Sequence, residues 1–352
     1  MKKRAAVVFL LALICCSASP AQVEDDFSGG ILDREEVLET AVQVTEETYP
    51  GTPCVRLAQY AKIRYHADGT AQCWTDSYYK YLTERAVSEV TEITRSFTIP
   101  FQRGPEDCRF TLVEIIKPDG TVISIDPDKE STVTADRSKV SDNIYSQHEK
   151  VVKIPLPGVE VGDIRHTVSR ERTVVPKLPY NYAAVWMVQE SYPLLYHVIE
   201  ICGPEEMPLK STLVKAQAGE PSAESRRRKN GLVCCRWEWR NVPPLFPEPA
   251  MPPLISVKQR LLVSTLPDWK ALSRWVGGVY EPHLETDEAI KAKVGELTGG
   301  REDPGKKLEA LYRFVSREIS YLGMAAEAAD PGVRPHDVSA TFRNRAGICR
   351  DQ

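Results

Sequence analysis

Cys349 stands in the run Gly347-Ile348-Cys349-Arg350-Asp351, and its surroundings suit nucleophilic chemistry. A thiol at the start of a helix has its thiolate favoured by unpaired backbone N–H groups and by the helix dipole. The glycine two residues earlier lets a substrate backbone come close, and Arg350 adds positive charge. The pattern suits a reactive thiol, with a structural or incidental cysteine as the alternative. A thiol that attacks a carbonyl carbon needs a histidine to take its proton and usually a carboxylate or amide to orient that histidine.

The chain has six histidines. His336 is near the cysteine in sequence, in Pro335-His336-Asp337, where capping or loop packing is its expected role. His66 borders a turn, His148, His166 and His197 fall on or beside strands, and His283 follows Pro282; none of them is assigned a function. The histidines form no HExxH and no paired Cys/His spacing, and there is no GxGxxG, P-loop or GxSxG run. No metal and no cofactor are therefore expected. The six tryptophans are read as core or cross-strand residues rather than as a carbohydrate or peptide groove.

The elements that must position Cys349 are helical. Leu308, Leu311, Tyr312, Val315 and Ile319 recur at helical spacing and predict a helix over residues 303–320, after shorter ones at 267–275 and 286–297. Upstream the pattern is that of strands. Two Asp-Gly pairs, Asp68-Gly69 and Asp119-Gly120, sit between alternating runs and predict hairpin turns. A short amphipathic helix is expected over residues 33–45, with Asp33 as its cap. The basic run Arg226-Arg227-Arg228-Lys229 is expected at a solvated hairpin tip ending in Asn230-Gly231. Prolines cluster from Pro243 to Pro253, which neither a helix nor a central strand tolerates, and the domain boundary is placed there.

Lys2, Lys3 and Arg4, the apolar run to Cys16 and the small residues to Ala21 have the layout of a secretory signal. Cleavage is expected after Ala21, and the apolar run is too short to span a bilayer. An uncleaved anchor and a lipid on Cys16 are the alternatives. Cleavage removes three positive charges, leaving 42 basic and 49 acidic residues, a net charge of −7. The whole-chain charge of −4 is already too neutral for a binder of nucleic acid, which must offset a phosphate backbone. Seven cysteines remain, so at least one is unpaired. Disulfides among the first six and buried reduced thiols both stay open. At 352 residues the chain has room for two domains.

The order of a helix ending at Tyr321, Pro335-His336-Asp337-Val338, Thr341-Phe342 and Gly347-Ile348-Cys349-Arg350-Asp351 resembles the first half of a bacterial transglutaminase-like domain, of the papain-like thiol enzyme superfamily. The resemblance implies that Cys349 is the nucleophile. It also implies that the histidine and carboxylate lie downstream on strands, so the sequence given is expected to be a truncated, inactive portion. The upstream half looks like the uncharacterised β-rich domain that precedes such domains in exported bacterial proteins. The expected fold class is α+β, a β-sandwich-like N-terminal domain followed by the helical first half of a transglutaminase-like domain. The expected divisions are a signal peptide over 1–21, a helix and linker over 22–53, the β-rich domain over 54–255 and the truncated domain over 256–352. The expected function is acyl transfer or amide hydrolysis on peptides or proteins outside the cytoplasm, with cell-envelope components as partners and no transmembrane segment in the mature chain. The alternative is a non-catalytic envelope binding or assembly module.

Overall fold

The computed structural model describes residues 26–138, 140, 144–145, 148–229, 231–324 and 334–351. The expected export segment, with Cys15, Cys16 and the Ala21 cleavage site, lies outside the described residues. Helix α1 (Arg34–Val42) is shorter than the sequence suggests and is capped as expected, Asp33 accepting the N–H groups of Glu35 and Glu36. Strands β1 (Cys54–Tyr65) and β2 (Ala71–Tyr81) form a hairpin around Asp68-Gly69. Gly69 lies at φ 90°, which favours glycine, and Asp68 Oδ1 accepts the Thr70 N–H at 2.9 Å.

There follow α2 (Glu84–Glu89), β3 (Glu92–Thr98), β4 (Cys108–Ile116), β5 (Val122–Ser124), α3 (Pro127–Glu130), β6 (Thr132–Ala135), β7 (Ile144–Tyr145), β8 (Glu149–Pro155) and β9 (Ile164–Thr173). The middle holds β10 (Ala183–Met187), β11 (Leu194–Pro204), β12 (Lys210–Val214), β13 (Ala223–Lys229) and β14 (Leu232–Val242). Beyond the prolines come α4 (Leu254–Val257), β15 (Arg260–Ser264), α5 (Trp269–Tyr280), α6 (Glu288–Thr298) and α7 (Pro304–Glu318). The last described elements are β16 (Ser320–Tyr321), β17 (Gly323–Met324), α8 (Val338–Asn344) and β18 (Ala346–Gly347).

Eight strands make one mixed sheet in the order β13-β14-β11-β1-β2-β9-β4-β5. Its neighbours are antiparallel except β1 and β11, which run parallel with Arg56 opposite Leu194. Side chains alternate between the two faces of a sheet. On one face α1 packs Val37 and Ala41 against Ala58, Tyr78 and Ile164. The other face carries two small sheets. One, β3-β8-β6, covers Phe110, Val113 and Ile115, and the other, β10-β15-β12, covers Ile63, Ile199 and Trp237. A cleft remains between them, floored by β1, β2 and β9.

This topology corrects the expected fold class. The chain is α+β overall, but strand outweighs helix, 36% against 25%, and the strands build one large mixed sheet rather than a β-sandwich-like domain. Nor is the segment after the prolines the helical first half of a domain. β15 is the central strand of β10-β15-β12, β16 pairs with β18, and β17 pairs with β7. The reason is that alternation reports which face of a strand is buried and is silent on which strand lies beside it. The stripe over 303–320 does form the expected helix, α7, although Leu308 and Tyr312 on it are 68% and 69% exposed and Ile319, just past the helix, is its buried member. The basic run is no hairpin tip either. It forms the edge strand β13, where Arg226 stands opposite Cys235, and charge on an edge discourages further pairing.

Cys202 and Cys234 form a disulfide across β11 and β14, while Cys54, Cys73, Cys108, Cys235 and Cys349 are free. Among the described residues no helix is long and apolar enough to cross a membrane.

Candidate functional site

The turn that carries Cys349 is built on Asp351. The Asp351 N–H donates to the Ile348 carbonyl at 2.8 Å, closing the turn. Its carboxylate, fully buried, accepts the Ile348 N–H at 2.9 Å through Oδ2, and the His336 N–H at 2.9 Å through Oδ1. The His336 ring joins the same group, with Nδ1 3.0 Å from Oδ2. Burial alone would push this carboxyl up; the two backbone N–H groups and the histidine outweigh it and hold the group below the usual range. Gly347 is required by this packing, because a Cβ there would come within 2.8 Å of the Asp351 Cβ and 3.0 Å of the Thr341 Cγ2.

Short helix α8 brings the two ends of the arrangement together. It runs from the Pro335-His336-Asp337 segment to β18, which pairs in parallel with β16 so that Tyr321 faces Gly347. Against the same turn lies an apolar hollow of about 210 Å³ lined by Leu297, Leu311, Phe314 and Phe342, with Asp351 in its wall. The Cys349 side chain points into none of this packing and is exposed. The other free thiols differ. Burial pushes Cys73 up to about 11 and Cys108 up to about 12, and raises Cys54 and Cys235 as well.

A second polar cluster lies on the α1 face of the large sheet. His166 Nε2 is 2.9 Å from Asp76 Oδ1, and His166 Nδ1 is 3.2 Å from Glu114 Oε2. Arg34 reaches Glu114 at 2.6 Å, and Asp76 Oδ2 accepts the N–H groups of Ile31 and Leu32 at 2.6 and 2.9 Å. Tyr78 stacks on the imidazole with ring centres 3.9 Å apart. The cluster straps the segment before α1 to the sheet, which is a structural role.

A family model described as "Domain of Unknown Function with solved-structure structure (DUF3857)" matches residues 67–246, which is half of the chain. The chain belongs to the DUF3857 family. The matched region starts in the β1–β2 turn and ends in the proline cluster, so it takes in β2 to β14 and leaves out the Cys349 turn. Among curated proteins none matches. A solved structure from Parabacteroides distasonis, of a protein proposed as a protease, superposes with a TM-score of 0.67 at 17% identity, over 84% of this chain and 56% of that one. This likeness shows a shared fold. The chain spans little more than half the length of that protein. A Legionella pneumophila protein proposed to bind nutrients aligns over 84% of this chain and 94% of its own at 12% identity, with a TM-score of 0.27 that carries no argument.

Of the residues singled out from sequence, Gly347, Cys349 and His336 meet in one place, and Arg350 lies beside them with Nε 3.9 Å from Asp351 Oδ1. His283 adjoins this arrangement rather than entering it, its Nδ1 2.6 Å from Oδ1 of Asp337 at the start of α8. From sequence Asp351 has no assigned role. The available signal is its place three residues after Ile348, the spacing at which an acidic side chain reaches back to the N–H that opens its turn.

Proposed function

We propose that the whole protein is an exported thiol enzyme of transglutaminase-like type. The Cys349 thiolate attacks the carbonyl carbon of a peptide or protein amide, a thioester forms as ammonia or an amine leaves with the proton, and a second amine or water then takes the acyl group. The observation that carries this reading is the exposed Cys349 thiol on a turn whose backbone is held by a buried carboxylate. A nucleophile must be reachable and must sit on fixed backbone, and Cys349 is both. His336 is tied to that carboxylate through both its backbone and its ring, which suits a holding role. Export is supported by the Lys2 to Ala21 layout and by the Cys202–Cys234 disulfide, which persists in oxidising compartments. Peptides, proteins and components of the cell envelope are the substrates such a location offers.

Protein isolated as its organism makes it is expected to begin at Gln22 and to release ammonia from a glutamine peptide in the presence of a primary amine. Cys349→Ala in the gene abolishes that release. A full-activity Cys349→Ala protein overturns the catalytic reading, and intact Met1 recovered in the cytoplasm overturns export. His336→Ala separates two roles: unchanged alkylation of Cys349 by iodoacetamide leaves His336 as a holding residue, whereas loss of fast alkylation makes it the base.

A further inference from the structure

The cleft between the two small sheets has a volume of about 600 Å³, within the range of ligand sites. Its floor is one face of the large sheet, including Gln59, Cys73, Thr75 and Glu171, and its sides are β3 and β10. The two sides differ in what their backbones offer. On β3 the outward Ser96 carbonyl meets Cys108 Sγ at 3.7 Å, and the Thr98 N–H donates to Gln102 Oε1 at 3.1 Å. The end of that edge nearest Gln102 is therefore occupied, the Thr98 carbonyl also taking the Gln102 N–H at 3.1 Å.

β10 is an edge strand of a different kind. It pairs only with β15, and Tyr182 with Thr265 and Val188 with Gln259 are hydrogen-bonded pairs of that ladder. Alternation along an antiparallel strand then turns the N–H and C=O groups of Ala183, Val185 and Met187 away from β15. Among the described residues these groups have no hydrogen-bond partner. Ala183, Ala184 and Trp186 line the cleft, so this open edge borders it.

Charge narrows the occupant. Arg95 lies 3.5 Å from Glu171, which also receives Gln102 Nε2 at 3.4 Å, so that pair is neutralised. Lys177 is the cation left over. It is exposed, its Nζ stands 4.9 Å from the centre of the Phe101 ring, and no carboxylate among the described residues pairs with it. A sugar is held by stacking on open aromatic faces, and of the rings lining the cleft only Trp186 is half-buried rather than buried. Phe97, Phe101 and Tyr182 are 4%, 6% and 9% exposed, and Tyr182 stacks on Tyr65 at 5.0 Å.

We propose that the cleft binds an extended acidic peptide segment as an added strand on the β10 edge, with a peptide carboxylate on Lys177. Backbone pairing supplies the affinity and Lys177 the preference for acidic segments. About five residues fit along β10 at ~3.3 Å each. The proposal does not rest on Cys349, since a binding module without catalysis would use the same edge.

The test uses the 352-residue chain and a fluorescein-labelled, end-blocked pentapeptide, alanyl-valyl-glutamyl-valyl-alanine, read by fluorescence anisotropy and hydrogen exchange. Binding should protect the amides of Ala183, Val185 and Met187. Lys177→Glu should weaken the glutamyl peptide by about tenfold and leave its glutaminyl analogue nearly unchanged. Val185→Pro removes an outward N–H while keeping the β15 ladder, and should weaken both peptides by about tenfold. Methylating alternate peptide nitrogens should do the same without touching the protein. Cys349→Ala should bind as the parent does, which keeps this result separate from the fate of the catalytic reading. The proposal is overturned if the N-methylated peptide binds as tightly, if the β10 amides gain no protection, or if maltohexaose binds and displaces the peptide.

Discussion

His336 and Asp351, 15 residues apart, meet at 3.0 Å between Nδ1 and Oδ2, and the same carboxylate also receives the His336 N–H. The contact closes the segment containing α8 into a loop tied at both ends. The turn bearing Cys349 is one of those ends, so its order depends on a carboxylate two residues away rather than on a helix of its own.

Replacing Asp351 with Ala leaves the His336 and Ile348 N–H groups without their acceptor. A buried donor left unpaired costs about 1–3 kcal/mol. Amide exchange at Ile348 and His336 should therefore accelerate by at least about tenfold while exchange in β1 and β11 holds. Equal acceleration throughout the chain would place Asp351 in global stability instead.

Gly203 on β11 lies against the ring of Tyr65, and a Cβ at that position would fall inside the ring. Tyr65 is buried, and its hydroxyl donates to the Met207 carbonyl at 2.7 Å, so the ring has nowhere to retreat. Gly203→Ala should cost about 1–3 kcal/mol or more by urea unfolding. A cost below about 0.5 kcal/mol would mean the strand shifts freely, contrary to its pairing on both sides.

His197 is buried beside Trp239, and neither ring nitrogen has a hydrogen-bond partner among the described residues. Burial, aided by the Arg56 charge, pushes its pKa down to about 3. The unfolded chain takes up this proton below about pH 6.5, whereas the folded chain refuses it until about pH 3. Stability therefore falls as pH drops through that window, by about 1.4 kcal/mol per unit. Urea unfolding at pH 7 and pH 5 should show a larger loss in the parent than in His197→Leu. Identical losses would remove His197 as the cause.

Residues 22–265 should fold alone, with a single cooperative transition by circular dichroism. Ending the chain at 255 deletes β15, the strand between β10 and β12 that buries Leu261 and Val263. That shorter protein should lose most of its thermal stability. Equal melting of the two would show that the β10-β15-β12 sheet adds little to the domain.

Several features could be read from sequence because they are local. The Asp68-Gly69 turn needs only a residue that accepts positive φ. The cap at Asp33 needs only a short side chain ahead of a helix, and the structure shows the same device at Asp268, Asp287 and Asp303. Cys349 stood out by its neighbours in the chain. What lay beyond reach is what brings distant residues together. Cys234 and Cys235 are adjacent and chemically identical. Cys234 stands opposite Cys202 and bonds to it, while Cys235, one position on, turns to the other face and joins the core. The parallel pairing of β1 with β11 and the insertion of β15 between β10 and β12 were likewise decided only in the folded chain. Each is a choice among strands of similar pattern, made by the total burial of the finished sheet rather than by any one segment. Asp351 belongs with these: its nearness to Cys349 was visible in the sequence, but its hold on His336 exists only because α8 folds back between them.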